Sequence, residues 1–213
     1  DGHKDYQVGL SSEILQVLSA GTSWSSEDAG LSGMEGIKGI AYGNDTFVAV
    51  GEYGVILTSS DGSTWTQHYS STQSILHAIA FGNNTFVAVG DSGKIVNSTN
   101  NASSWQVSTS SPSIQLNGVT FGGSTFDVVG GSGGYTFDSS NNGSSWTSRG
   151  RVPHSGSWPY YRRDLYGVGF GNSTFVAVGQ SGTILTSTDG ATWTSRTSGT
   201  SNYLFGVAFG NST

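Results

Sequence analysis

Short apolar runs alternate with Gly- and Asn-rich breaks along this chain, and the alternation repeats. Gly39-Ile-Ala-Tyr-Gly-Asn returns as Ala78-Ile-Ala-Phe-Gly-Asn, Gly118-Val-Thr-Phe-Gly-Gly, Gly167-Val-Gly-Phe-Gly-Asn and Gly206-Val-Ala-Phe-Gly-Asn. The aromatic falls at Tyr42, Phe81, Phe121, Phe170 and Phe209, with spacings of 39, 40, 49 and 39 residues. A second run, Thr46-Phe-Val-Ala-Val-Gly51, recurs at 85–90, 125–130 and 174–179, and a third, Val55-Ile-Leu-Thr, at 94–97, 135–137 and 183–186. Each unit then passes through a polar turn to a Trp at 65, 105, 146 or 193. Apolar runs this short, punctuated by residues that tolerate positive φ, predict strands joined by tight turns. One such meander cannot bury its own faces, whereas units stacked radially can. The expectation is all-β: a β-propeller of four-stranded blades of about 40 residues.

The N-terminal stretch shifts the count. Tyr6-Gln-Val-Gly9, Ile14-Leu15 and Ser19-Ala-Gly-Thr-Ser-Trp24 align with Val176-Ala-Val-Gly179, Ile184-Leu185 and Ser187 to Trp193, so the chain opens in the second strand of a unit. It closes on the first strand of another, 203–213. The expected domain is one propeller over 1–213, most simply five blades: 35–65, 75–105, 115–146, 164–193, and one split between 1–24 and 203–213, with an insertion at about 149–163. A ring closed by strands from both termini leaves no open edge. Exchange of the split halves between chains, giving a filament, and excision from a longer propeller are the alternatives.

Composition narrows the class. Charged residues are only 10% of the 213, Gly numbers 33, and there is no Cys, which excludes a disulfide scaffold and a thiolate metal site. No apolar run is long enough to span a bilayer as a helix. The net charge of −6 lacks the basic footprint of a nucleic-acid binder. Few Lys, no Cys and many hydroxyl residues lean towards an extracellular or cell-surface protein. Asn-X-Ser/Thr sequons at Asn44, Asn83, Asn97, Asn101, Asn142, Asn172 and Asn211 permit a glycoprotein. No cofactor or metal is expected.

The Trp turns read Ser59-Ser-Asp61-Gly-Ser-Thr-Trp65, Ser98-Thr-Asn100-Asn-Ala-Ser-Ser-Trp105, Ser139-Ser-Asn141-Asn-Gly-Ser-Ser-Trp146 and Ser187-Thr-Asp189-Gly-Ala-Thr-Trp193. They resemble Asp-box (BNR) repeats, with the first and last turns one residue short and Asn replacing Asp in the middle two. The chain as a whole is similar to the BNR-like propellers labelled photosystem II stability/assembly factor-like, within a group of repeats shared with sialidases. The resemblance implies that Asp61, Asn100, Asn141 and Asp189 tie their turns to backbone N–H groups, while Trp65, Trp105, Trp146 and Trp193 pack between blades. These are structural roles.

Departures between copies mark candidate sites. Trp146 to Phe170 spans 24 residues where the other units span 16. The expanded segment brings together Arg149, Arg151, His154, Trp158, Tyr160, Tyr161, Arg162 and Arg163, and Arg with Tyr and Trp is the composition of binding hot spots. A second set is the residue preceding the small residue of each first strand: Lys38, His77, Asn117, Tyr166 and Phe205. These five unlike residues at one repeat position are expected on the channel rim, since the resemblance places first strands along the channel. A third is Asp127, standing where the other copies have Val; it reads as a surface change ahead of a site residue.

An enzyme is not expected. A sialidase needs an arginine triad from separate blades, yet four of the five Arg cluster at one insertion. Arg151-Val-Pro153 only faintly echoes the sialidase Arg-Ile-Pro. Glu occurs only at 13, 27, 35 and 52, and no recurring carboxylate pair offers the geometry a glycosidase requires. The expected function is a non-catalytic secreted or surface-displayed binding or structural module whose ligand is a glycan or protein partner. The alternatives are a self-assembling filament or surface-layer subunit, and a sialidase-like glycoside hydrolase. Neither nucleic-acid binding nor membrane insertion is expected.

Overall fold

The computed structural model describes residues 6–8, 13–17, 24–28, 36–152 and 163–210. Four antiparallel sheets follow one another, each with its strands in simple chain order. The first is β4 (Ile37–Gly43), β5 (Thr46–Gly51), β6 (Ile56–Ser59) and β7 (Thr66–His68). The second is β8 (Leu76–Gly82), β9 (Thr85–Gly90), β10 (Lys94–Ser98) and β11 (Gln106–Thr109). The third is β12 (Leu116–Gly122), β13 (Thr125–Gly130), β14 (Tyr135–Ser139) and β15 (Thr147–Arg151). The fourth is β16 (Leu165–Gly171), β17 (Thr174–Gly179), β18 (Ile184–Ser187) and β19 (Thr194–Arg196). A three-stranded sheet precedes them: β1 (Tyr6–Val8), β2 (Glu13–Val17) and β3 (Trp24–Asp28). The fourth strand of every blade lies beyond the Trp, so the repeat unit runs past the turn that its motif ends on. Residues 203–210 follow the fourth blade without strand structure, and no ladder joins them to β1 among the described residues.

The core lies between blades rather than within them. Val48, Val50 and Ile56 of the first blade share a cluster with Leu76, Phe86, Ala102 and Trp105 of the second. Val87, Val89 and Ile95 of the second meet Leu116, Phe126 and Phe137 of the third. Val129 meets Leu165, Phe175, Leu185 and Trp193 of the fourth. Burying each such aromatic contributes about 2–3 kcal/mol. Because neighbours cover both faces, β5 and β9 are buried almost along their whole length, and their run of Phe-Val-Ala-Val is continuous rather than alternating.

The first strands β4, β8, β12 and β16 stand side by side. Gly39 faces Ala78 and Gly118 faces Gly167 backbone to backbone, which explains the small residue in that repeat position. At the other end of these strands each aromatic lies on the Gly of the preceding blade: Phe81 on Gly43, Phe121 on Gly82, Phe170 on Gly122 and Phe209 on Gly171, where any Cβ would run into the ring. Residues 203–210 thus occupy the place of a further first strand.

The Trp turns hold themselves closed. Asp61 Oδ1 accepts the N–H groups of Ser63 and Thr64, both at 2.8 Å, and Asp189 Oδ1 those of Ala191 at 2.9 Å and Thr192 at 2.7 Å. These bonds hold both carboxyls below their usual range, that of Asp189 at about 2. The two longer turns use an amide differently. Asn100 Oδ1 accepts from Ser104 N–H while its Nδ2 donates to Ser104 Oγ at 2.8 Å, and Asn141 does the same with Ser145. An amide supplies the donor a carboxylate lacks, so the extra residue and the Asp-to-Asn change go together. Each indole N–H donates to the carbonyl three residues earlier, at 2.9–3.1 Å, and Trp105 and Trp193 are buried in the seams. Of the sequon residues, Asn97 is buried in β10, and Asn83 and Asn101 donate to Asn142 and Thr46 of neighbouring blades.

Candidate functional site

The blades have two unlike ends. One carries the β-hairpins and the Trp turns. The other carries the loops that cross between blades, the turns Glu52–Gly54, Asp91–Gly93, Gly131–Gly134 and Gln180–Gly182, and the starts of the first strands. The variable repeat position lies at this second end for a structural reason. The β4–β5 register slips between Ile37 and Gly39, and the same slip recurs at Leu76/Ala78, Leu116/Gly118 and Leu165/Gly167. Lys38, His77, Asn117 and Tyr166 are the extra residues of these four bulges, and a bulge releases its extra residue from the ladder.

Three of the four bulge residues are tied down. Lys38 Nζ lies 2.8 Å from Glu52 Oε1, and His77 Nε2 lies 2.7 Å from Asp91 Oδ1 with Gln115 Nε2 at 3.3 Å. Asn117 Nδ2 donates to Leu165 O of the next blade at 2.6 Å. Asp164 Oδ1 accepts Gly133 N–H at 3.0 Å. The partners Glu52 and Asp91 went unnoticed in the sequence, yet each stands 14 residues after its cation, whereas Asn117 and Tyr166 meet Gly131 and Gln180 at that offset. An acid that appears only where the bulge residue is basic is a signal one sequence contains.

The fourth bulge residue differs. Tyr166 stacks on Phe205 at 5.2 Å between centroids and lies 6.0 Å from Tyr203, which meets Phe205 edge-on at 6.2 Å. Tyr203 is 50% exposed and Phe205 70%, so the aromatic group faces solvent. Gln180 Nε2 donates to Tyr203 Oη at 3.1 Å and fixes one ring. Burial, with Asp164 and Tyr203 nearby, raises the Tyr166 hydroxyl pKa, so the ring is uncharged at neutral pH. Tyr203 and Gln180 were not singled out from the sequence: Tyr203 precedes the repeated segment, and nothing marks a partner 23 residues away.

The insertion emerges at the same end as this cluster. Arg151 places its guanidinium 5.3 Å above the Tyr135 ring, and Arg163 Nη1 donates to Thr183 Oγ1 at 3.4 Å beside an open cavity of about 610 Å³. His154, Trp158, Tyr160, Tyr161 and Arg162 lie outside the described residues. Arg149 sits lower, in β15, and pairs through Nε and Nη2 with Asp138.

Asp127 is not a surface change. It is 1% exposed, because β13 is covered on both faces, and its Oδ1 meets Gly190 of the fourth blade so closely that a Cβ there would overlap it. Thr125 Oγ1 donates to Oδ2 at 2.9 Å, while Oδ1 has no hydrogen-bond partner. Desolvation lifts the carboxyl to about 7; Asp138 and Asp189 add to the rise, and Thr125 and Arg149 oppose it. Among the described residues no group of three His, Cys, Asp or Glu could hold a metal ion, and no helix is long and apolar enough to cross a membrane.

Antiparallel four-stranded blades packed face to face, with inner strands side by side, define a β-propeller. The chain belongs to the DUF6242 beta propeller domain family, whose model matches residues 6–115, 110 of the 213. No curated protein matches the sequence. Solved structures extend the likeness to nearly the whole chain. YCF48 bound to D1 peptide matches at TM-score 0.66 and 18% identity over 91% of this chain and 63% of that one. YCF48 from Cyanidioschyzon merolae matches at TM-score 0.63 and 16% identity over 98% and 63%. An ancestral GH74 enzyme matches at TM-score 0.67 and 19% identity over 91% and 29%. This chain therefore spans less than two thirds of the length of these structures, and at such identities the likeness is one of fold.

Proposed function

We propose that this propeller is a non-catalytic, extracellular or surface-displayed module that binds a peptide segment of a protein partner at the crossover-loop end of its blades. The observation that carries the reading is the solvent-facing Tyr166–Tyr203–Phe205 cluster at the end from which the Arg- and aromatic-rich insertion emerges. That Tyr166 and Phe205, two of the five variable repeat positions, lie at the end where the insertion leaves β15 supports this reading. Exposed aromatics flanked by Arg are what anchors a peptide, through desolvated ring contacts and charge-assisted bonds at the margin. A YCF48 structure of the same fold holds a peptide, which supports a protein ligand over a glycan. The carboxylates at this end support binding over hydrolysis: Glu52, Asp91 and Asp164 are each engaged.

The test is selection from a random peptide display library, followed by titration of the selected peptide. Tyr203→Ala and Phe205→Ala each remove an exposed ring and should weaken binding at least about tenfold, the loss of a well-packed aromatic anchor, with thermal unfolding unchanged. A glycan array and a glycosidase screen run alongside. Selected peptides indifferent to both substitutions, or turnover of a glycoside, would refute the proposal.

A further inference from the structure

Asn or Asp followed by Gly is a chemically weak joint in a polypeptide. Glycine has no Cβ to obstruct ring closure, so its nitrogen can attack the preceding side-chain carbonyl carbon and form a succinimide. From Asn, the new C–N bond forms at Cγ, the backbone N–H proton passes to the leaving amide, and ammonia departs. Water then opens the ring to aspartate or to isoaspartate, which carries an extra methylene in the main chain. Asp61-Gly62, Asn142-Gly143 and Asp189-Gly190 are the pairs of this kind among the described residues, and all of them lie in Trp turns. In each, the Gly N–H donates to the serine that opens the turn. Gly62 donates to Ser59 Oγ at 2.8 Å, Gly143 to Ser139 Oγ at 2.9 Å and Gly190 to Ser187 Oγ at 2.9 Å. These serines are only 2–4% exposed. Each hydroxyl is itself fixed, donating to Oδ1 of Asp61, Asn141 or Asp189.

The attacking nitrogen must first give up its proton. Here a buried hydroxyl holds that proton away from the water that would remove it. At Asp61 and Asp189 there is a second obstacle. Ring closure from an acid starts from its protonated form, and the backbone N–H groups that these carboxylates accept lower both pKa values. An amide needs no protonation to react, so at Asn142 the serine stands alone. The second blade uses the same bond, Ala102 N–H to Ser98 Oγ at 3.0 Å, but there the methyl of Ala102 already obstructs a ring from Asn101. Asn142 also sits where damage would spread. Its Oδ1 accepts from Asn83 Nδ2 of the neighbouring blade at 2.6 Å, and Gly143 O accepts the Trp146 indole N–H at 3.1 Å. Gly143 is buried against Val87 of the second blade. We infer that Asn142 is a latent site of spontaneous deamidation and isomerisation, and that Ser139 keeps it closed by holding the Gly143 N–H proton. This reading is independent of the peptide-binding end.

The parent, Ser139→Ala, Ser139→Thr and Asn141→Ala proteins are aged in mildly alkaline buffer, digested, and read by mass spectrometry for the amide-to-acid mass gain and for isoaspartate at position 142. Ser139→Ala should convert Asn142 several-fold faster than the parent, and Ser139→Thr, which keeps a hydroxyl, should stay near it. Asn141→Ala loosens the same turn but leaves Gly143 its acceptor, so it should also stay slow. Equal rates in Ser139→Ala and the parent overturn the inference. Asn141→Ala converting as fast as Ser139→Ala overturns it too, because protection would then come from the rigidity of the turn. The parent supplies a reading that does not depend on any variant folding: Asn142 should convert far more slowly in the folded protein than in urea, and equal rates there overturn the inference as well.

Discussion

Asp127→Val should stabilise the protein, and should do so only above a particular pH. The substitution restores the residue that the other three blades carry at this position, in a strand buried on both faces. A carboxyl that titrates at about 7 in the folded chain against an ordinary 3.8 binds its proton more tightly when folded. Folding then costs an increasing amount as pH rises from about 4 to about 7, with a ceiling of about 4 kcal/mol above that. The sign follows from proton counting: between these values the folded state holds the proton and the unfolded state does not, so stability falls as pH rises. Removing the carboxyl strands no donor, since Thr125 Oγ1 also lies 3.1 Å from Gly122 O. Urea unfolding followed by tryptophan fluorescence at pH 4.5, 6 and 8 should show the variant within about 1 kcal/mol of the parent at the lowest pH and more stable by a few kcal/mol at the highest. Asp127→Asn, which keeps the shape, should lose the same pH dependence. A difference that does not change with pH, or a Val variant less stable at pH 8, would refute the reasoning.

Asp189→Ala removes two backbone N–H contacts from an exposed turn and should cost about 1 kcal/mol at pH 7, a figure already reduced for screening. The Asp189 carboxyl titrates near 2, below its unfolded value, so its contribution is present above pH 3.8 and should vanish as the pH falls towards 2 in urea titrations. Gly122→Ala drives a methyl into the Phe170 ring and should destabilise by about 1–3 kcal/mol in thermal melts. Gly210→Ala, at the same repeat position but with nothing within 4 Å, should stay within about 0.5 kcal/mol of the parent in the same melts.

Much of this was legible in the residues. The repeat gave the blades because each strand is short and bounded by turn residues, so pattern and structure share one period. The fourth strand of each blade was the weakest element to read: Thr66-Gln-His68 and Thr194-Ser-Arg196 are mostly exposed at the outer edge and need no apolar pattern. Asp127 was misjudged because one carboxylate in a strand invites a solvent-facing reading. The continuous Phe-Val-Ala-Val run of its sister strands already meant that both faces are covered. Glu52 and Asp91 were recoverable from their fixed offset to Lys38 and His77. The Gln180–Tyr203 bond was not, since it joins a turn to a segment that follows the fourth blade.

Repetition separates the two jobs of this chain in a way a single domain cannot. Where four copies agree, each residue answers to the same seam: Gly under a ring, small residue against small residue, indole N–H on a carbonyl three residues back. Where they disagree, the seam has stopped dictating the residue. The bulge shows this most clearly. It takes Lys38, His77, Asn117 or Tyr166 without altering the ladder, because the extra residue is released from pairing. In the first two blades the freed side chain is held by an acid on the adjacent turn. In the fourth it is an aromatic joined by two others and left facing water. On the proposed reading, an exposed side chain that the ladder does not require, among neighbours of the same kind, is what separates a binding surface from a well-packed one, and the contrast lies within one sequence.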